Sequence, residues 1–501
     1  MQKENKPSPI THGRSTGNSR FAGWSGLFAG NQLLRTAAGF AFTALATRLV
    51  GIDDYGIFAV GMTVFSLVAR LGFGGLAYTA QRSLSGPFSR EHRRRAGALA
   101  VITAVLATVF ALGLVTGGGY LAVRLFHKPE LGRVLRTMGL ALLFFLPLQF
   151  ALSLLRAQHK LRAFLMLELL QVWLKLFSLG LALLLNDRLL AMALAIPVSS
   201  GVSFGMAVVL LWRYDLRPAF SSLRSHLPDM ARYGGVFFFT STGYFVVSGV
   251  DRLMLASMRD AGEVGVYAIA FLLASVINTF QSSMIRVFMP VCSDLYTRHG
   301  RIGEELTEVY AFANMLTIGV SVPCLIFLVV MGRYLLNLFF GVTDVMAYHV
   351  FYILSARLMI PVLVGPAGSL LNMTDHHRKE CTNSMTFVVV GVLLNLYFIR
   401  ILGAYGAAIA TFISLFAIHL AQLIEIRVVT GFLTVTWRHV CLLAIVGVLL
   451  TCHLLIVRHE STVAHGVYLV LAEGIFLTGF GLCLRRTDRR NRFRTLRGRW
   501  T

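Results

Sequence analysis

The sequence predicts an all-α polytopic membrane protein of about 14 transmembrane helices. Apolar residues make up 56% of the 501 positions, charged residues make up 14%, and the mean hydropathy is +0.70. Soluble chains of this length carry about a quarter charged residues, so an ordinary soluble protein is excluded. Because a bilayer span takes roughly 20 residues, the apolar positions, about 280 in all, would fill about fourteen spans.

Apolar stretches of span length follow one another along the chain. The fourth and the seventh are the shortest, and the last two could be a pair appended to a twelve-helix body. An even number of spans places both termini on one side of the membrane. The stretches lie near residues 24–47, 56–80, 97–123, 138–155, 163–185, 189–212, 233–250, 264–285, 309–331, 345–371, 383–399, 404–424, 439–457 and 466–484.

These stretches predict six parts of the chain. Residues 1–23 are polar and run straight into a full-length apolar stretch, so we expect no cleaved signal peptide. The six cysteines are scattered and read as reduced core residues. The predicted parts are a cytoplasmic N-terminal tail (1–23), an N-lobe of six helices (24–212), a cytoplasmic linker (213–232), a C-lobe of six helices (233–424), two further helices (439–484) and a basic cytoplasmic tail (485–501).

The positive charge of the chain predicts its orientation. Lys and Arg total 46 against 23 Asp and Glu, which gives a net charge of +23. Of the basic residues, 31 fall in the tails and in loops after even-numbered spans, and 11 in loops after odd-numbered spans. The positive-inside rule then places both tails and the even loops in the cytoplasm. The basic runs serve orientation and contact with anionic lipid, so no nucleic-acid partner is expected.

Three helix-to-helix corners share one pattern, and all three fall on the predicted outer face. Each has a basic residue among apolar neighbours, a tight turn and a glycine that opens the next helix, where backbones pass closely. They lie at 48–59, at 252–254 with 263–268, and at 400–408. The first two are six spans apart, so they predict two halves of the same orientation, a parallel repeat. The alternative is chance recurrence of Gly-rich corners.

The corners also carry a family resemblance. In chain order, ATRLVGIDDYGIF (46–58), DRLML (251–255) with GEVGVYA (262–268), and GAYGAAIA (403–410) resemble signatures of the polysaccharide-export, or oligosaccharide flippase, branch of the multidrug/oligosaccharidyl-lipid/polysaccharide exporter superfamily. The resemblance spans roughly residues 20–430. It implies two six-helix lobes around a central cavity that opens alternately to each side of a bacterial inner membrane.

The resemblance also implies the passenger and the partners. The passenger would be an undecaprenyl-pyrophosphate-linked oligosaccharide, moved to the outer leaflet for the synthesis of O-antigen, capsule or exopolysaccharide. The partners would be this lipid-linked oligosaccharide, membrane lipids and a polysaccharide polymerase or export complex. The last two helices depart from twelve-helix members and resemble fourteen-helix ones.

Ionisable residues inside predicted spans indicate where a polar passenger would bind. A charge at a helix centre costs roughly 2.5–3.5 kcal/mol on insertion scales, so charges kept there usually face a cavity or a partner. Four bases and two acids leave a net charge of +2, which favours an anionic passenger, and Arg can hold two phosphate oxygens at once. These residues are Arg35, Arg70, Glu168, Lys175, Arg357 and Glu473.

Spacing extends this set to polar stripes on four helices. Asn31 and Arg35 are four residues apart, and Glu168, Gln171 and Lys175 follow i, i+3, i+7. The other stripes are Ser241, Tyr244, Ser248 and Asp251, and then Asn278, Gln281, Ser282 and Arg286. The predicted substrate-binding residues are Asn31, Arg35, Arg70, Glu168, Gln171, Lys175, Asp251, Arg252, Asn278, Gln281 and Arg357.

Structural roles compete with these assignments. Glu168 and Lys175 would equally form an ion pair within the N-lobe. Asp251 and Arg252 are interpreted as an interfacial anchor at a helix end, with a cavity site as the alternative. Glu473 is interpreted as structural. The hypothesis for the passenger is that Arg35, with Arg70 and Arg357, holds the pyrophosphate.

Several functions are disfavoured by the sequence. His376 and His377 lack a third ligand at metal spacing, no nucleotide-binding loop or hydrolase motif occurs, and no loop is long enough for a catalytic domain. We therefore expect no enzyme, no catalytic residue, no cofactor and no metal. An ion gradient or the downstream consumption of the substrate would drive transport. Glu168 is a candidate proton or cation site. The rivals are a drug or cation antiporter of the same superfamily, a membrane-embedded transferase and a non-transporting scaffold.

Overall fold

The computed structural model describes most of the apolar body of the chain. The predicted thirteenth span, the basic C-terminal tail, most of the linker and the stripe residues Ser241, Tyr244 and Ser248 lie outside the described residues, so those predictions stand untested. The described residues are 14–84, 88–182, 187–221, 228, 249–299, 302–374, 377–430, 468–478 and 480.

The first half of the chain forms six long helices, here called the N-half. Each coincides with one predicted span, and all but α5 extend beyond it at both ends, because an apolar run marks only the part of a helix that crosses the hydrocarbon. The first helix begins inside the stretch predicted to be a polar tail. The helices are α1 (Arg14–Val50), α2 (Ile52–Ser83), α3 (Arg90–Arg124), α4 (Leu131–Ala157), α5 (Leu161–Ala182) and α6 (Arg188–Arg213).

The second half, here called the C-half, continues with shorter and broken helices. Two predicted spans each form two helices: α8 and α9 meet at Ser275 with a bend of 52°, and α11 ends at Gly365, whose φ is +83°. The C-half holds α7 (249–258), α8 (Ala261–Ala274), α9 (Val276–His299), α10 (Glu304–Phe340), α11 (Val345–Val364), α12 (Ala367–Asn372), α13 (His377–Leu402) and α14 (Ala404–Thr430); α15 (Tyr468–Thr478) follows.

The all-α membrane fold is confirmed. In the described part of the chain, ten helices are long and apolar enough to cross a membrane, or eleven if the bent pair α8–α9 is one span. The count of fourteen and the six predicted parts remain predictions. The described residues contain helices, turns and loops but no strand.

Small residues hold the N-half together. A Cβ at Gly132 of α4 would lie 3.3 Å from the Cα of Gly119 of α3, so the two helices pack backbone to backbone. Helix α4 is apolar on all faces and buried along most of its length, with Leu135 and Met138 fully enclosed. It packs against α2, α3, α5 and α6 and so forms the centre of the N-half.

The three corners meet at one end of the molecule, which we call the corner end. A Cβ at Gly56 would lie 1.9 Å from the carbonyl oxygen of Ala261, and one at Gly265 would lie 2.4 Å from that of Ile52. Helices α2 and α8 therefore touch through their backbones, as the sequence predicted for these glycines. The third corner joins them, because the carboxylate of Glu263 accepts a hydrogen bond from the backbone of Ala404 at 2.9 Å.

Two basic side chains also join the halves at the corner end. The Nζ of Lys128, between α3 and α4, donates to the carbonyls of Ala256 at 2.6 Å and Arg259 at 2.8 Å, where α7 ends. Arg48, at the end of α1, donates to the carbonyls of Leu338 and Phe339, where α10 ends, the latter at 3.1 Å. Each cation satisfies carbonyls at a helix C-terminus. The corner end is thus closed by contacts between the halves.

Candidate functional site

A polar cluster in the N-half joins α1 to α5. The guanidinium of Arg35 donates to the carboxylate of Glu168 at 2.6 Å, and the amide of Asn31 donates to the other carboxylate oxygen at 3.0 Å. The side chain of Arg35 is 34% exposed and that of Glu168 15% exposed. Asn31 and Arg35 share one face, as their spacing predicted. The pair with Lys175 does not form, since Glu168 binds the neighbouring helix instead.

Lys175 is held by aromatic rings. Its Nζ lies 4.1 Å from the ring centre of Phe42 and 5.9 Å from that of Phe58. Such cation–π contacts stabilise an ammonium without removing its charge. Gln171 lies between Glu168 and Lys175 on α5 and is half-buried. The α5 stripe therefore divides into an ion pair with α1 and a cation over aromatic rings.

Two further arginines are exposed, one in each half. Arg70 of α2 is exposed although it belongs to a membrane-length helix. Arg286 of α9 is also exposed, and its guanidinium donates to the side-chain oxygen of Gln32 at 3.3 Å. Because Gln32 lies one turn before Arg35, this contact brings a cation of the C-half beside the N-half cluster. Spacing had placed Arg286 in a stripe but not among the predicted binding residues.

A second polar cluster is enclosed within the C-half. The carboxylate of Asp251 is bound by the hydroxyl of Tyr267 at 2.7 Å, by Arg357 at 3.5 Å and by the hydroxyl of Thr411 at 3.3 Å. The side chains of Asp251 and Arg357 are only 1% and 3% exposed. Asp251 is thus a buried partner of Arg357 and not an anchor at a helix end. Arg357 is enclosed in this cluster, so its part in holding a pyrophosphate with Arg35 and Arg70 stays a prediction.

A small recess lies beside Asp251. Asn395, Thr411 and Ser414 line it, and the side-chain oxygen of Asn395 has no hydrogen-bond partner among the described residues. Carboxylate, amide and hydroxyl oxygens are ligand types of hard cations, but the charge of Asp251 is already balanced by Arg357. In the described part of the chain no group of three or more His, Cys, Asp or Glu side chains could hold a metal ion.

Arg252 differs from its neighbour Asp251. It is half-buried, its guanidinium lies 4.5 Å from the ring centre of Phe271, and its Nε is buried without a hydrogen-bond partner in the described residues. The guanidinium of Arg357 lies 5.4 Å from the same ring. Phe271 therefore contacts two cations, of which only Arg357 has a carboxylate.

The polar residues of the α9 stripe, like those of the α5 stripe, have different surroundings. Gln281 is buried and donates to the carbonyl of Pro361 at 2.7 Å, and Tyr310 donates to the carbonyl of Val364 at 2.6 Å. Both carbonyls lie in the last turn of α11, and that of Pro361 also accepts from the backbone N–H of Gly365 at 2.9 Å, so Gln281 is buried against the end of α11. Asn278 is half-buried on the same helix. Glu473 is half-buried on α15, away from both clusters.

A carboxyl with amide partners lies outside the membrane span of α13. The carboxylate of Glu380 accepts two hydrogen bonds from the Gln422 amide, at 3.0 Å and 2.9 Å. Burial raises the pKa of Glu380 to about 7; the Gln422 hydrogen bonds oppose this effect, and the nearby Glu425 adds to it. Sequence reasoning missed Glu380, as it missed Tyr267 and Thr411, because a single polar residue has no spacing signal.

The described charges inside the helices sum to a positive surplus. Arg35 is balanced by Glu168 and Arg357 by Asp251. In the described part, Lys175 and Arg252 contact aromatic rings and Arg286 contacts an amide. None of the three forms an ion pair with a carboxylate among those residues. A surface of this kind attracts anions and repels cations.

Comparison with known proteins is consistent with this chemistry. The family model described as "Polysaccharide biosynthesis protein" matches residues 22–296. A probable low-salt glycan biosynthesis flippase, Agl15 of Haloferax volcanii, is 23% identical over 260 residues, which cover 49% of this chain and 53% of that protein. The chain therefore spans about half the length of the curated relative it matches.

Solved structures share the fold. The lipid II flippase MurJ, in an inward closed conformation, aligns with a TM-score of 0.73 at 13% identity, covering 91% of this chain and 98% of that one. An inward-facing multidrug resistance transporter of the MATE family, within the MOP superfamily, aligns with a TM-score of 0.65 at 14% identity, covering 79% and 94%. At these identities the likeness shows the fold alone.

Proposed function

Because the chain belongs to the polysaccharide biosynthesis protein family, we propose that it is a flippase for lipid-linked oligosaccharide. The passenger is an undecaprenyl-pyrophosphate-linked repeat unit, carried from the inner to the outer leaflet of the cytoplasmic membrane by alternating access. The name of the Agl15 relative, a glycan biosynthesis flippase, supports this class of passenger. The fold supports it as well, since flippases and drug transporters share it.

One observation carries the proposal: a partly exposed arginine, paired with a carboxylate, lies inside a membrane-length helix. Arg35 is 34% exposed while its partner Glu168 is largely covered. An arginine is costly in a membrane unless it faces water or a partner. A diphosphate can replace Glu168 as the acceptor of the guanidinium, since both offer paired oxygens. The site can thus remain charged and stable without a passenger and still bind one.

Two further arginines would complete the diphosphate site with Arg35. Arg35 lies about 22 Å from the corner end of α1, and Arg70 about 27 Å from the corner end of α2. Both depths belong to the part of the helices away from the closed corner end. Arg286 reaches the same region through Gln32. We therefore assign the diphosphate to Arg35, Arg70 and Arg286, in place of the set that included Arg357.

The orientation of the protein follows from the charge of its loops. With both termini in the cytoplasm, the corner end faces outward and the Arg35 cluster opens toward the cytoplasm, where lipid-linked sugars are made. The excess of basic residues on the side opposite the corner end supports this placement. Opening of the corner end would then release the passenger to the outer leaflet.

The proposal is tested in cells that make the polysaccharide. Deletion of the gene should cause lipid-linked oligosaccharide to accumulate on the cytoplasmic leaflet, and Arg35→Ala should fail to restore export at normal protein level. Lys160→Gln is the matched control, because Lys160 is a basic residue at the end opposite the corner end, and its Nζ lies 5.2 Å from the centre of the Tyr214 ring. Full export by the Arg35 variant would contradict the assignment of the diphosphate to this site.

The second candidate is a drug or cation antiporter, which the MATE neighbours make worth testing. Such a carrier needs acids that face its cavity. The two acids in the described polar clusters are instead paired, Glu168 with Arg35 and Asp251 with Arg357. Export of a cationic dye that disappears in Glu168→Gln would favour the antiporter.

A further inference from the structure

A second pair of cations lies closer to the corner end than Arg35. Lys175 lies seven residues before the end of α5 and Arg252 six residues before the end of α7, which places both about 10 Å from that end. Arg35 lies about 22 Å from it. The cations therefore occupy two levels, separated by roughly 12 Å along the helices.

The charge of Lys175 is available for an anion. Among the described residues its contacts are the rings of Phe42 and Phe58. Glu168, the acid on the same helix, already accepts hydrogen bonds from Arg35 and Asn31. Lys175 as a whole residue is half-buried.

The charge of Arg252 is available for the same reason. The Oδ2 of Asp251 accepts from Tyr267, Arg357 and Thr411. Its Oδ1 accepts from the backbone N–H of Arg252 at 2.8 Å, so no described contact joins this carboxylate to the Arg252 guanidinium. The Nε of Arg252 is buried and unpaired in the described part of the chain. An unpaired buried donor is costly unless a ligand satisfies it.

Aromatic residues lie beside both cations. The ring centres of Phe42 and Phe58 are 5.7 Å apart, and those of Tyr55 and Phe58 are 6.2 Å apart. Lys175 lies over Phe42 and near Phe58 of α2, and Arg252 lies over Phe271 of α8, the helix whose backbone touches α2. Lys175 belongs to the N-half and Arg252 to the C-half, so these residues lie where the halves meet beneath the closed corner end.

From these observations we infer that Lys175 and Arg252 form an outer anion subsite, which receives the diphosphate of the passenger from Arg35 and holds it while the corner end opens. The inference rests on the proposed function and deepens it. Two separated sites let an anion move in steps, each stabilised by a cation, instead of crossing the apolar interior uncompensated. Opening of the corner end separates the halves, so it also separates the two cations and weakens the subsite.

The test measures binding and transport separately. Farnesyl pyrophosphate binding is measured by calorimetry on the full chain in nanodiscs, and transport is measured with a fluorescent undecaprenyl-pyrophosphate-linked disaccharide in proteoliposomes. Lys175→Gln and Arg252→Gln should lower transport about tenfold or more, the effect expected for losing one charge-assisted hydrogen bond. Both should change farnesyl pyrophosphate binding little, whereas Arg35→Gln should weaken binding about tenfold.

Two controls separate this role from a structural one. Lys175→Arg keeps the cation and should restore much of the transport, while Lys160→Gln removes a cation–π contact at the opposite end and should transport like the wild type. Normal transport by Lys175→Gln and Arg252→Gln would overturn the outer subsite alone, as would a loss of binding in them as large as that in Arg35→Gln. A wild-type protein that neither binds nor transports either probe would overturn the proposed function and this inference together.

Discussion

The two ion pairs inside the helices have the same chemistry but different surroundings. In the N-half, Arg35 and Glu168 are 34% and 15% exposed; in the C-half, Arg357 and Asp251 are 3% and 1% exposed. A partly exposed pair contributes little to stability and can exchange its partner. A buried pair must remain intact, because a single charge left there is uncompensated. The contrast suggests that the N-half pair serves binding and the C-half pair serves structure.

The largest expected effect comes from breaking the C-half pair. Asp251→Asn leaves Arg357 buried without a carboxylate, and it should lower the free energy of unfolding by about 3–5 kcal/mol. The loss is measured as thermal unfolding of the purified protein in detergent. A double variant, Asp251→Asn with Arg357→Gln, should recover part of the stability. An Asp251→Asn protein as stable as the wild type would show that the pair is dispensable.

The next effect concerns the contact that holds the two halves together. Gly56→Ala places a methyl group against the carbonyl of Ala261, at 1.9 Å if nothing moves, so α2 and α8 must separate. The expected loss in the free energy of unfolding is about 1–3 kcal/mol. Gly39→Ala is the matched control, since nothing lies within 4 Å of a Cβ there. Equal stability of the two variants would contradict the close approach of these helices.

A smaller effect is expected at the N-half pair. Glu168→Gln should change the free energy of unfolding by less than about 1 kcal/mol, because water already reaches Arg35. The same change removes the competitor of the diphosphate, so the affinity for farnesyl pyrophosphate should rise several-fold, measured by calorimetry. Asn31→Ala, which keeps the carboxylate, is the control. Weaker binding in Glu168→Gln would place that carboxylate in a supporting role.

A pH-dependent effect extends the comparison to a carboxyl whose described partner is an amide. The pKa of Glu380 is raised to about 7, so the folded state holds this proton at pH values where the unfolded state has released it. Stability should therefore fall as the pH rises from about 4.5 to about 7. Thermal unfolding across this range should show the fall in the wild type and a smaller fall in Glu380→Gln. An identical pH profile in both would contradict the assignment.

The sequence was sufficient to predict the described membrane-length helices and the shared helix face of Asn31 and Arg35. Apolar runs located the spans, and the four-residue spacing placed Asn31 and Arg35 together, because both properties belong to a single helix. Partners on different helices could not be read in this way. Arg357 and Asp251 are 106 residues apart in the sequence. Glu168 pairs with Arg35, not with Lys175 on its own helix, because α1 packs against α5. The break in α11 was likewise hidden within one apolar run.

The central claim is that a cationic cavity carries a lipid-linked diphosphate. It is tested most directly by reconstituting the protein into liposomes and measuring the flipping of a fluorescent undecaprenyl-pyrophosphate-linked oligosaccharide. The account predicts flipping well above that of protein-free vesicles with the wild type, and a rate near that background with Arg35→Gln. Equal rates in wild-type, Arg35→Gln and protein-free vesicles would contradict it.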